Sequence, residues 1–141
     1  MYELPKEPSL IRERIRRYQR KLRVEKARWG MIRDGAGKRY LLGPLFLLLG
    51  DLDNALDCFR WFEAEFPDDC GEPGHHLCWT LALYRGGDHE AAARKLRQTM
   101  LMNLYLIPHL LGVCRRNTIW GRHIFDGHYN VCHENLETLQ S

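Results

Sequence analysis

The chain has 141 residues, of which 45% are hydrophobic and 28% are charged, and its formal net charge is +3. These proportions are typical of a globular protein and exclude wholesale disorder. The longest apolar run, residues 45–49, is far shorter than the ~18 residues that a membrane span needs. The first residues lack the basic and apolar segments of a secretory signal, and the five cysteines are odd in number and irregularly spaced. We therefore expect a cytoplasmic protein with reduced thiols and no membrane association.

The charge is unevenly distributed along the chain. Residues 1–40 contain 13 Lys and Arg against 5 Asp and Glu, whereas residues 41–141 contain 8 basic residues against 13 acidic ones. A basic arm is therefore joined to an acidic body, and any functional hypothesis has to account for that asymmetry.

The basic arm is predicted to be one long helix with a narrow apolar seam. Ser9 is a candidate N-cap, and Gly30 is a candidate C-terminal stop. Apolar residues recur at helical spacing between them, which is typical of a helix that lies along another helix. The seam consists of Ile11, Ile15, Tyr18, Leu22 and Trp29. The sequence Gly35-Ala36-Gly37 then predicts a flexible connection.

Two corners 37 residues apart indicate an internal repeat. Gly50-Asp51 and Gly87-Asp88 each follow an apolar helical run and precede another helical pattern. Glycine can adopt the left-handed conformation that ends a helix, and aspartate can cap the amides of the next one. The sequence therefore predicts two helical hairpins in a stack.

The residues around these corners resemble the tetratricopeptide (TPR) family over roughly residues 38–108. In the first copy the family's small, large, alanine, aromatic and proline positions fall on Gly43, Phe46, Ala55, Phe59 and Pro67. The second copy has Thr80, Leu83, Ala92 and Leu96 in the first four roles, and its closing proline is displaced to Pro108. Two departures in the first copy are Phe62, where the family usually has alanine, and Pro44, which we expect to kink or shorten its helix.

The resemblance implies an all-α fold, a TPR-like helical-hairpin solenoid of two repeats with an N-terminal basic helix and a C-terminal helical cap. We divide the chain into the basic helical arm and linker (1–37), the repeat domain (38–113) and a C-terminal tail (114–141). A short apolar helix is expected over 105–113, and the tail is expected to contain a weak helix and to pack on the same domain.

The resemblance also implies a partner-binding groove on the concave face of the first helices. The corresponding residues here are Tyr40, Leu47, Leu48, Leu77, Leu81, Tyr84 and Arg85. Leu77 and Leu81 replace the Lys and Asn with which chaperone-binding members clamp a terminal carboxylate, so an apolar helix or extended peptide is the expected occupant. The alternative occupant is the chain's own N-terminal helix, because two repeats leave much apolar surface uncovered.

The basic arm offers a second candidate surface. Its basic patch comprises Arg12, Arg16, Arg17, Arg20, Lys21 and Arg23. This density of charge is suited to the phosphate backbone of a nucleic acid. The alternative is a solvated face whose charge is matched by the acidic body.

Metal binding and catalysis have weaker support in the sequence. Weak candidate metal ligands are Cys70, His75, His76 and Cys78, with a second group in the tail at His123, His128, Cys132 and His133. Thiolates and imidazoles suit zinc, but neither group has a paired C-x-x-C or another zinc spacing.

Phosphate-binding loops and the motifs of hydrolases and metalloproteases are missing from the sequence. We therefore expect no cofactor, no metal and no enzymatic activity.

The sequence thus favours a non-catalytic protein–protein interaction module or assembly adaptor that binds a helix or extended peptide. The alternative is a nucleic-acid-associated factor that acts through the basic helix. A homodimer that covers the exposed end of a two-repeat stack is a further expectation.

Overall fold

The computed structural model describes residues 4–112, which form six α-helices and no strand. The helices are α1 (Pro8–Trp29), α2 (Arg39–Leu48), α3 (Leu52–Glu65), α4 (Pro73–Arg85), α5 (His89–Met102) and α6 (Leu106–Leu110). The all-α prediction is confirmed for these residues. Across the same range, no helix is both long enough and apolar enough to cross a membrane.

Helix α1 begins two residues earlier than the sequence predicts. Its N-cap is Glu7, and Pro8 occupies the first turn, where its missing amide hydrogen costs nothing. Ser9 therefore lies inside the helix, and its prediction as the cap is wrong. Gly30 ends the helix with φ 70° and donates its amide hydrogen to the carbonyl oxygen of Lys26.

Four of the five seam residues are buried, and the fifth is not. Ile11, Ile15, Tyr18 and Leu22 form one core cluster with α2, whereas Trp29 is 50% exposed. Trp29 lies in the last helical turn, and arginine guanidinium groups lie over its ring at 4.7 and 4.9 Å. Helical periodicity therefore predicts the buried position of the first four seam residues but not of the fifth.

Helix α1 lies against α2 and α3 rather than in the predicted groove. Its buried residues form a cluster with Leu42 and Leu45 of α2, and Cys58 and Trp61 of α3 pack against that cluster. None of the seven predicted groove residues belongs to it. The interpretation that the N-terminal helix fills the groove is therefore wrong, because the apolar seam meets a different face of α2.

The two predicted corners share one backbone conformation. Gly50 and Gly87 have φ of 73° and 87°, in the left-handed region. Asp51 and Asp88 follow with φ/ψ of −86°/79° and −85°/74°, and each carboxylate accepts the amide hydrogen of the residue three positions later. The helices after the corners, α3 and α5, have 14 residues each and begin 37 residues apart. The corners are thus equivalent ends of two helical hairpins.

A second core cluster joins the two hairpins. It contains Ala55, Phe59 and Phe62 of α3 together with Trp79 and Ala82 of α4. A Cβ atom at Gly43 of α2 would overlap the ring of Phe59, so α2 and α3 approach each other at a position where only glycine fits. Helix α2 continues through Pro44 to Leu48, and it is three residues shorter than α4.

The chain after α5 forms the short helix α6. The side chain of Asn103 accepts hydrogen bonds from the amides of Tyr105 and Leu106 at 3.0 and 3.1 Å, which satisfies donors at the start of this helix. The helix is shorter than the predicted range of 105–113. The predicted tail helix and the tail ligand group lie outside the described residues.

Substitution of Gly43 by alanine is expected to lower the free energy of unfolding by about 1–3 kcal/mol, because the added methyl group overlaps Phe59. Urea unfolding followed by circular dichroism measures the change. Gly74→Ala is the matched control: Gly74 is also helical, nothing lies within 4 Å of its Cβ position, and its φ is not positive. Equal stability changes in the two variants would contradict the close approach of α2 and α3.

Candidate functional site

The predicted groove residues on α4 share its outward face. Leu77, Leu81, Tyr84 and Arg85 are spaced by four, three and one residues, which places them on one side of a helix. Leu81 and Tyr84 are 42% and 62% exposed, whereas Leu77 is half-buried. On α2, Leu48 is 49% exposed and Leu47 is half-buried against the second core cluster. The exposed apolar residues of the predicted groove are thus Leu48, Leu81 and Tyr84, and we call this set the apolar strip.

Tyr40 does not belong to this surface. Its ring packs against Phe62 and His75, with centroid distances of 5.7 and 5.8 Å. Its hydroxyl donates to the carboxylate of Asp69 at 2.8 Å and accepts from Arg39 at 2.6 Å. Burial, followed by the hydrogen bond to Asp69, raises the pKa of Tyr40 to about 12. The prediction that Tyr40 lines the groove is wrong, because its ring and its hydroxyl both contact residues inside the protein.

Arg39 and two aspartates form a polar network that the sequence analysis did not identify. Arg39 donates to Asp69 at 2.7 Å and to Asp34 at 3.2 Å. The Asp34 side chain is fully buried, and it accepts the backbone amides of Lys38 and Arg39 at 2.9 and 2.7 Å. The predicted flexible connection at 35–37 is therefore held in place at the start of α2.

The carboxylate of Asp69 is the charged centre of this network. Burial alone raises the pKa of Asp69, but hydrogen bonds from the Gly71 amide, Arg39 and Tyr40 outweigh that effect, so its pKa lies below its usual value. The network connects the loop before α2 to the loop between α3 and α4. Since its members are separated by about thirty residues in the chain, helical periodicity gives no signal for it.

His75 and His76 lie inside the protein beside this network. The imidazole of His75 is 3% exposed and contacts the rings of Phe59, Phe62 and Trp79. Burial, then the neighbouring charges of His76 and Lys95, lowers the pKa of His75 to about 3. The Nδ1 atoms of both histidines are buried and have no hydrogen-bond partner within residues 4–112. The imidazole of His75 is therefore held in its neutral form, and burial also lowers the pKa of His76.

The four weak candidate ligands for a metal do not converge. His76 donates through Nε2 to the backbone carbonyl oxygen of Cys70 at 2.7 Å, rather than facing its thiol. Cys78 packs against the second core cluster, and burial raises the pKa of its thiol to about 11. In the described part of the chain, no three His, Cys, Asp or Glu side chains are grouped so that they could hold a metal ion.

All six residues of the basic patch are exposed on α1. Within the described residues, none of the six forms an ion pair with a carboxylate, and the arm reaches the acidic body through Lys26, whose Nζ lies 2.6 Å from Glu65. The carboxylates of Asp57 and Glu90 pair with arginines of their own helices. The charge of the patch is therefore not neutralised by direct contact with residues 41–112 of the body.

A cleft of about 450 Å³ opens between α1 and α3. Its floor is apolar and comprises Leu22, Ile32, Leu42, Phe46, Cys58 and Trp61. Its rim is polar and comprises Gln19, Arg23, Lys26, Asn54 and Asp57. We call this feature the α1–α3 cleft. Sequence analysis missed it because its walls come from three helices whose relative placement no local pattern reveals.

Comparisons with known proteins do not assign the chain to a group. No protein-family model matches it, and neither the curated proteins nor the solved structures contain a significant match. The candidate sites therefore rest on their own geometry.

The free energy of unfolding is expected to decrease below about pH 6.5. His75 has an ordinary pKa of 6.5 when unfolded and a pKa of about 3 when folded, so the unfolded chain binds a proton that the folded chain excludes between these values. The loss approaches about 1.4 kcal/mol per pH unit for that proton. Asp69, with its lowered pKa, adds a further loss at lower pH.

Urea unfolding measured between pH 8 and pH 4.5 tests this dependence. His75→Phe should retain the packing and lower the slope of unfolding free energy against pH by the contribution of about one proton. The same slope in wild type and His75→Phe would contradict the assignment to His75.

Proposed function

We propose that the chain is a non-catalytic protein-interaction module built as a TPR-like stack, which binds a helix or extended peptide of a partner protein. The proposal includes a cytoplasmic location and the absence of a cofactor. The observation that supports it best is the apolar strip of Leu48, Leu81 and Tyr84, which no described element covers.

The repeat geometry supports the TPR-like interpretation. The two corners are equivalent, α2 and α4 end 37 residues apart, and α3 and α5 begin and end 37 residues apart. The small residue of the first helix, Gly43, lies against the aromatic residue of the second, Phe59, as in the family pattern. By its packing on α2, α1 takes the place that the second helix of a preceding hairpin would have.

The apolar strip is suited to a partner with apolar side chains along one face. Burial of a large apolar side chain contributes roughly 1.5–3 kcal/mol, and a tyrosine adds a hydroxyl that can bond to a peptide. Tyr84 also packs on His89 at 4.8 Å, so its ring is positioned before a partner arrives. Arg85 lies at the end of the strip and can pair with an acidic residue of the partner.

The Leu81→Asp, Tyr84→Asp double variant is expected to lose partners that the wild type retains. Each substitution removes apolar contact and introduces a charge, so recovery should fall about tenfold or more. Affinity isolation from native extract, with mass spectrometry of the retained proteins, measures the loss. The matched control is Leu101→Asp, Leu104→Asp, which alters two exposed leucines outside the strip. Identical sets of retained proteins for both double variants would contradict the proposal.

A second candidate function is nucleic-acid binding through α1. The specific observation in its favour is that the basic patch is exposed and lacks carboxylate partners among the described residues. A row of guanidinium groups on one helix can neutralise successive phosphates and release their counterions. Arg17 also lies over the ring of Tyr18, at 5.8 Å from its centroid, so part of the patch is held against the core.

Replacement of Arg16, Arg17, Arg20 and Lys21 by glutamine is expected to weaken RNA binding and to reduce the slope of log affinity against log salt by about three. Fluorescence anisotropy with labelled single-stranded RNA at several salt concentrations measures both quantities. The control replaces Arg60, Arg85, Arg94 and Arg97, which removes the same charge outside α1. An unchanged salt slope in the α1 variant would exclude this second function.

A further inference from the structure

The floor of the α1–α3 cleft contains one short side chain, Cys58. The counterpart of this cleft is the groove between α3 and α5, and the 37-residue repeat places Cys58 in the first groove where Lys95 lies in the second. The Lys95 side chain covers the floor of that second groove, with Nζ 3.5 Å from the centroid of the Trp79 ring. The thiol of Cys58 cannot cover the first floor in the same way, so a volume of about 450 Å³ remains.

The floor of the cleft is suited to an apolar body. Six apolar or weakly polar side chains line it, and Trp61 is fixed by an edge contact with Phe66 at 5.6 Å. Burial raises the pKa of Cys58 to about 11, so its thiol stays protonated and serves as an apolar surface rather than as a nucleophile. The volume lies within the ~300–1,000 Å³ of typical small-molecule sites.

Among the described residues, one cation on the rim of the cleft has no carboxylate partner. Lys26 is paired with Glu65 at 2.6 Å, and Asp57 is paired with Arg60 at 2.6 Å. Arg23 donates through Nε to the backbone carbonyl oxygen of Gln19 at 3.4 Å and forms no ion pair within residues 4–112. Its guanidinium group is therefore available at the edge of an apolar floor.

We propose that the α1–α3 cleft binds a small amphipathic carboxylate, with its alkyl or aromatic body on the floor and its carboxylate on Arg23. A guanidinium group can donate two parallel hydrogen bonds to a carboxylate, and the adjacent apolar surface excludes water from that pair. The cleft lies between α1 and α3 and shares no residue with the apolar strip. A test of ligand binding in the cleft is therefore independent of a test of partner binding on the apolar strip.

Isothermal titration calorimetry of the full chain with decanoate, below its micellar concentration, tests the proposal. Decanoate is expected to bind with one-to-one stoichiometry, and decanol and decylammonium, which have the same chain and no anionic head, are expected to bind about tenfold more weakly. Arg23→Gln should weaken decanoate binding about tenfold. The matched control is Arg16→Gln, because Arg16 also donates to the carbonyl oxygen four residues earlier but does not line the cleft.

A second variant fills the cleft. Cys58→Phe should abolish decanoate binding while the helical circular dichroism signal is retained. The proposal is overturned if decanoate does not bind, if decanol or decylammonium binds equally well, or if Arg16→Gln weakens binding as much as Arg23→Gln. It is also overturned if sedimentation shows a dimer that Cys58→Phe dissociates, since a second copy of the chain would then occupy the cleft.

Discussion

The ring of Phe59 lies where any side chain at position 43 would have to be, and the stack of helices is organised around this contact. One edge of the ring meets the backbone of α2 at Gly43. Its face stacks on Trp79 of α4, with centroids 5.4 Å apart and planes 7° from parallel. A single aromatic side chain of α3 therefore fixes α2 and α4 together. With Trp79 held inward, the opposite face of α4 is directed outward, and the exposure of Leu81 and Tyr84 follows from that orientation.

The two hairpins share their corners but differ in the side chains between helices. Where the first has Phe62, the second has Thr99, whose hydroxyl donates to the carbonyl oxygen of Lys95 within its own helix. Burial lowers the pKa of the Lys95 ammonium group, which lies over Trp79. The second groove is thus closed by a charged side chain, whereas the first is left open at Cys58. At the aligned positions 58 and 95 the first groove therefore has a short thiol and the second a long charged side chain.

Local patterns predicted the corners and failed at contacts that span the chain. Gly50-Asp51 could be predicted because a left-handed glycine and an aspartate cap act within four residues of each other. Tyr40 could not be placed, since its partner Asp69 lies 29 residues later and the hydrogen bond between them replaces exposure to solvent. Trp29 has the helical spacing of the seam, but it is half-exposed and contacts arginine side chains instead of the core. Leu81 and Tyr84 of the apolar strip were named through the family resemblance, whereas the cleft required the positions of three helices.

Helix α1 combines two properties that the sequence presented as separate. Its inner face contributes four residues to a core cluster, and its outer faces bear the basic patch, which includes Arg23. Removal of the arm would expose Leu42 and Leu45, so the arm is part of the folded stack rather than a detachable tail. Any anion that binds the native α1 more tightly than the unfolded chain must raise the free energy of unfolding, because binding and folding are linked. Since the basic side chains project from the helix that covers this core, ligand binding and the stability of the first hairpin are coupled through α1.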